Sequence, residues 1–139
     1  MTQKKKIKNL LFRLSVSIGA LIGLYIFFIG GNDFNYRLED HEFIVTGAFG
    51  VTVSSSEVVD VRLHEQTMRE INPGARRNGT SAGTIQRGLF DIGLVYVSRS
   101  TSPTIEIIRL GELNNVYLSF ADPELTRSLY ERLIEWSIH

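Results

Sequence analysis

Arginine set among glycines is the residue combination in this chain best suited to holding another molecule. Arg76, Arg77, Asn78 and Arg87 fall in the stretch ARRNGTSAGTIQRGLF, which also carries Gly79, Gly83 and Gly88 and has no acidic residue. Guanidinium groups grip carboxylate or phosphate through paired N–H donors, and glycine lets backbone N–H groups gather around an anion. These four residues are the ligand-binding candidates, with an anionic ligand or lipid headgroup as the target of the loop 74–90. A competing reading of the same residues is a loop whose arginines stay solvated or pair with an acidic surface.

Other chemistry has less to build on. The imidazoles are His41, His64 and His139, and none has a second ligand at metal spacing. Serines cluster at Ser54 to Ser56 and from Ser98 to Ser102 without a G-x-S-x-G elbow or an evident base. With no cysteine, disulfides and thiolate chemistry are excluded. The expectation is therefore no catalytic residue, no metal and no cofactor, hence a protein that is not an enzyme. Asn78, Gly79 and Thr80 spell a glycosylation sequon but read more simply as an Asn-Gly turn.

Ahead of this part lies a segment of different character. Lys4, Lys5, Lys6 and Lys8 precede LLFRLSVSIGALIGLYIFFI, residues 10–29. At ~1.5 Å per helical residue, this run matches the ~30 Å hydrocarbon core of a bilayer. It predicts a basic cytoplasmic stub over 1–9 and a single transmembrane helix over 10–31, with the domain 32–139 outside the cytoplasm by the positive-inside rule. Ser15, Gly19 and Gly23 recur every fourth residue and form a candidate helix-dimerisation face. The first 31 residues carry four Lys and Arg13 with no acid, whereas the rest carries ten Arg against fifteen Asp and Glu. A domain with that acidic excess does not suit sequence-independent nucleic-acid binding.

The elements that must position the arginines follow from periodicity. Strands are expected at Phe34 to Leu38, at Phe43 to Thr46 hairpinned onto the alternating run Phe49, Val51, Val53, and at Glu57 to Leu63. Glu65 to Gly88, rich in glycine and polar residues, predicts a long loop. Leu94 to Ser98, Thr104 to Leu110 and Val116 to Phe120 predict three strands of an antiparallel meander. Asp122 as N-cap and Pro123 at the first helical position open a helix to about Ser137. Leu125, Leu129, Leu133 and Trp136 form its apolar stripe, and Arg127 can pair with Glu131 on the outer side.

Short antiparallel strands followed by one Trp-bearing amphipathic helix make the region 34–138 resemble a bacterial pleckstrin-homology (PH)-like domain. FIVTGAFGVTV, EVVDVRL, the arginine loop, LVYVS, TIEIIRL, VYLSF and Trp136 carry the likeness. The resemblance implies an α+β fold: a PH-like bent antiparallel β-sheet or barrel capped by the C-terminal α-helix, here following the membrane helix. It also implies an interaction or scaffolding module, whose partners would be the lipid bilayer and a protein partner or a homo-oligomer. It does not import a phosphoinositide site, because the hairpin TGAFG lacks Lys and Arg.

Overall fold

A computed structural model of the chain describes residues 8–9 and 33–138. The apolar segment 10–31, with Ser15, Gly19 and Gly23, lies outside the described residues, as does His139. Among the described residues no helix is long and apolar enough to cross a membrane, so the spanning helix of the expected fold has no counterpart there.

The expected single bent antiparallel sheet is replaced by two sheets. Strands β1 (Tyr36–Leu38), β2 (Glu42–Val45) and β3 (Val51–Ser54) form a three-stranded antiparallel sheet in that order. Phe43 stands opposite Val53 and Val45 opposite Val51, so the apolar residues of the predicted hairpin share a face. The larger sheet takes β4 (Val58–His64), β5 (Arg76–Ala82), β6 (Ile85–Phe90), β7 (Gly93–Ser98), β8 (Thr104–Arg109) and β9 (Val116–Leu118) in the spatial order β4-β8-β9-β7-β6-β5. This sheet is mixed. β8 runs back antiparallel to the direction of β7 but one place away from it, and β9 fills the slot between them, antiparallel to β8 and parallel to β7. The PH-like meander is thereby corrected, since in a meander every hydrogen-bonded pair of strands is antiparallel, whereas β7 and β9 are parallel neighbours.

Alternation within the strands gives the large sheet two buried faces. Ile105 and Ile107 of β8, Val116 and Leu118 of β9 and Tyr96 of β7 join Phe43, Val45 and Val53 of the small sheet in one core. The same core takes Leu129, Leu133 and Trp136 of α2 (Pro123–Ile138), the stripe that the spacing required. Phe34 and Phe120 close one end, their rings stacked at 4.6 Å. On the opposite face Val95, Val97, Phe90 and Tyr117 meet Met68 and form a smaller cluster.

Met68 belongs to the stretch expected to be a loop. That stretch instead holds a short helix, α1 (Met68–Ile71), then β5 and the start of β6. Thr67 opens α1 with a capping box: its hydroxyl accepts from the Glu70 N–H at 3.2 Å, and the Glu70 carboxylate accepts from the Thr67 N–H at 3.0 Å. At α2, the Asp122 carboxylate accepts from the Glu124 N–H at 3.0 Å, as an N-cap should. Arg127 does not use Glu131. It makes a two-pronged contact with Glu65 at 3.1 and 2.9 Å, an exposed pair that contributes little to stability.

Leu133 is fully buried where α2 meets the sheets. Leu133→Ala should cost about 2–5 kcal/mol through lost transfer energy and a residual cavity. Urea unfolding of the two proteins measures that difference, and a loss below about 1 kcal/mol would place α2 outside the cooperative core.

Candidate functional site

The four arginine-region candidates fall on the hairpin β5–β6 rather than in a loop. Ala82 pairs with Ile85 across the two-residue connection Gly83–Thr84, and Gly83 takes φ 60°, the positive value that the first position of a type II′ turn needs. Gly79 and Gly88 stand opposite each other with φ 139° and 121°. A Cβ on Gly79 would lie 2.1 Å from the Arg87 carbonyl oxygen, and one on Gly88 2.3 Å from that of Asn78. The two strands approach too closely there for any other residue. Glycines that read as breakers in the sequence are what permits the pairing.

Among the described residues β5 ends its sheet, hydrogen-bonded to β6 on one side, and its residues are exposed apart from a half-buried Gly79. The pair flanking a two-residue hairpin loop exchanges both its N–H···O bonds, so Ala82 turns its backbone groups toward Ile85. The next residue must do the reverse. The N–H and C=O of Ser81 therefore point away from β6, along the open edge.

The hairpin separates the four candidates. Arg76 is exposed at the start of β5, opposite Phe90, and a bulge falls between Arg76 and Asn78. Arg77, within that bulge, gives its Nε to the Asp91 carboxylate at 2.6 Å, while the Ala75 N–H donates to the same carboxylate at 2.7 Å. The Ala75 N–H foremost, and the Arg77 guanidinium after it, hold the Asp91 carboxyl below its ordinary value. Asn78 pairs with Leu89, and Thr80 pairs with Arg87. Of the four, Arg87 lines a cavity beside the turn that follows β2.

That cavity, about 260 Å³, lies between the TGAFG turn and the hairpin. Phe34, Val45, Phe49 and Tyr96 supply apolar walls, and Thr46, Thr80 and Arg87 supply polar groups. The Tyr96 hydroxyl donates to the Phe49 carbonyl and so ties the turn to β7. Burial pushes that hydroxyl's pKa up to about 12, against a lesser opposing pull from Arg109. Asp33, which accepts from the Ala121 N–H at 2.9 Å, is also raised by burial, with the Ala121 hydrogen bond and the charge of Arg87 opposing the shift.

A second polar cluster was not anticipated. Glu106, 12% exposed at its side chain, accepts from three groups: His64 Nε2 lies 2.9 Å from Oε1, and the Tyr117 hydroxyl and Asn115 Nδ2 lie 2.8 and 3.1 Å from Oε2. Arg109 extends the network, with Nη2 on the Glu57 carboxylate at 3.0 Å and its backbone N–H donating to Asn115 Oδ1 at 3.2 Å. The sequence signal was a carboxylate inside the apolar run TIEIIRL, a position tolerable only with partners. The cluster joins β4, β8 and the approach to β9. His41 lies elsewhere, in a groove of about 550 Å³ bounded by Leu38, Glu39, Asp40, Arg132, Glu135 and Trp136. Among the described residues no group of His, Asp and Glu could hold a metal ion.

Comparison of the chain with protein-family models, with curated proteins and with solved structures found no match.

Burial would raise the Glu106 carboxyl, but the hydrogen bonds from His64, Tyr117 and Asn115 outweigh it and hold the group below its ordinary 4.5. A depressed folded value means stability that is fully present above the unfolded value and lost as pH falls through the folded one. Glu106→Gln should therefore destabilise by roughly 1–3 kcal/mol at neutral pH, with the gap to wild type narrowing below about pH 4.5. Urea titrations of both proteins from neutral to acid pH check this, and a gap that widens on acidification would contradict it.

Proposed function

We propose that the chain is a non-enzymatic interaction module that takes a strand from a protein partner onto the open edge of β5. The observation that carries the reading is the seven-residue strand Arg76–Ala82, last in its sheet among the described residues and exposed at every position but Gly79. An unpaired row of backbone N–H and C=O groups is a template for another strand, and strand addition is a recurrent mode of peptide recognition. The apolar run 10–29 behind four lysines supports attachment to a membrane, with the β5-bearing domain extracytoplasmic and the lysines inside. A reporter fused to the C-terminus and active only outside the cytoplasm should then score positive. Activity of a cytoplasm-only reporter would reverse the orientation.

The cavity beside Arg87 favours a second reading, capture of a small amphipathic anion. Its apolar walls would take the body of the ligand, with the guanidinium and the Thr80 hydroxyl taking its charged end. Arg76 and Arg77 have no part in this version.

Two proline substitutions separate the edge from the ladder. Ser81→Pro removes a backbone N–H that faces outward, so stability should shift by less than about 1 kcal/mol while partner capture is lost. Ala82→Pro removes an N–H bonded to β6 and should cost roughly 1–3 kcal/mol. Photo-crosslinking through Thr80 in intact cells, with melting curves of each variant, reads both effects. Adducts that persist unchanged in Ser81→Pro, or no adduct to the wild-type chain, would refute strand addition.

A further inference from the structure

We infer that the strand accepted at β5 is acidic: an extended segment of a partner polypeptide that sets an Asp or Glu opposite Thr80 and directs its carboxylate to Arg87. This rests on the strand-addition reading and names the chemistry of the partner at the same edge.

Register supplies the geometry. Thr80 and Arg87 are directly paired, so their side chains leave the same face of the sheet, and both line the cavity beneath the TGAFG turn. A strand added to β5 runs ~4.8 Å beyond it, and the residue opposite Thr80 projects on that same face. Arg87 is then two strand spacings away, a span that an extended glutamate and an arginine cover together by passing over the small Thr80 side chain. Phe34, Phe49 and Tyr96 line the cavity that Arg87 borders, and a carboxylate that reaches into it meets the guanidinium beside apolar surface, where a charge pair is stronger than a fully solvated one.

Charge points the same way. Residues 76–90, the whole of the hairpin, carry three arginines and no acid, although the sequence beyond residue 31 is acidic overall. Where the chain itself brings a carboxylate to these arginines, it is used: Asp91 is bonded to Arg77, and Asp33 lies near enough to Arg87 to feel its charge. A second copy of the chain is the less suitable occupant, because edge-to-edge pairing of two β5 strands would bring two basic hairpins together.

The test uses the full chain as bait for a displayed library of random peptides, followed by synthetic versions of the enriched sequences. Wild type should enrich segments with an acid at one shared position. Replacing that acid by its amide should weaken binding about tenfold, the loss expected for one charge-assisted hydrogen bond. The same replacement should have little effect on Arg87→Gln, while Arg76→Gln, with the cavity intact, should keep the preference. Added salt should weaken the acidic peptide more than its amide counterpart. Neutral or basic winners that are lost in Ser81→Pro would overturn the acidic partner but leave strand addition standing. Peptides bound equally by Ser81→Pro would overturn strand addition itself. Self-association abolished by Ser81→Pro, with no peptide enriched, would assign the edge to a second copy and overturn the inference.

Discussion

The large sheet depends on the pairing of a strand only three residues long. Among the described residues β9 is the strand that pairs both with β8, which has β4 beyond it, and with β7, which has β6 and β5 beyond it. All three of its residues are buried. Val116 and Leu118 reach the core shared with the small sheet and α2, and Tyr117 reaches the cluster around Met68 on the other face. A strand this short cannot hold two half-sheets by its ladder alone. The Leu94 N–H bonded to the Asn115 carbonyl and the Ser119 N–H bonded to the Tyr96 carbonyl lengthen the β7 side. On the β8 side the Tyr117 hydroxyl and the Asn115 amide converge on Glu106, whose other oxygen meets His64 of β4. The buried carboxylate thus ties three strands together where few backbone bonds are available, at the cost of requiring every partner to be present.

What could be read from the sequence was whatever depends on local periodicity. Phe43, Val45, Val51 and Val53 announced a hairpin, and Leu129, Leu133 and Trp136 announced a docked helix, because period 2 and period 3.6 are local consequences of burial on one face. The insertion of β9 between β7 and β8 leaves no such mark. LVYVS, TIEIIRL and VYLSF have the same apolar pattern in a meander as in a mixed sheet, since the pattern records that a strand is buried and not which strand lies beside it. The likeness to a PH-type fold rested on that ambiguity.

The loop expected from Glu65 to Gly88 is overturned for a different reason. Gly79, Gly83 and Gly88 look alike in the sequence as marks of irregular backbone, but they serve two separate needs: Gly83 turns the chain, while Gly79 and Gly88 let two strands approach within the space of a Cβ. Once the hairpin forms, the four polar candidates are distributed by register. Arg77 goes to Asp91, Arg76 to solvent, and Arg87 to the cavity under a turn more than thirty residues earlier in the chain. Spacing along the chain could gather the guanidinium groups into one stretch, but only the sheet could decide which of them lines a cavity.

The same hairpin carries both the means of pairing and the means of limiting it. A long exposed edge strand invites indiscriminate association, and proteins commonly counter this with bulges and charged side chains. β5 has a bulge between Arg76 and Asn78 and arginines at its beginning, while Thr80, Ser81 and Ala82 keep regular extended pairing with β6. Its protection is therefore uneven. At the guarded end an approaching strand meets a distorted ladder and positive charge, whereas at the Thr80 end it meets regular backbone beside an apolar cavity with one guanidinium. A neutral strand gains only the backbone bonds of a few residues there, which must also offset the entropy of ordering it. A strand with a carboxylate at the right position gains a charge-assisted contact in addition and avoids the repulsion that a basic strand would meet. If β5 takes a strand as proposed, selectivity at this edge would follow from where its protection stops, and Arg87 lines the cavity at that boundary.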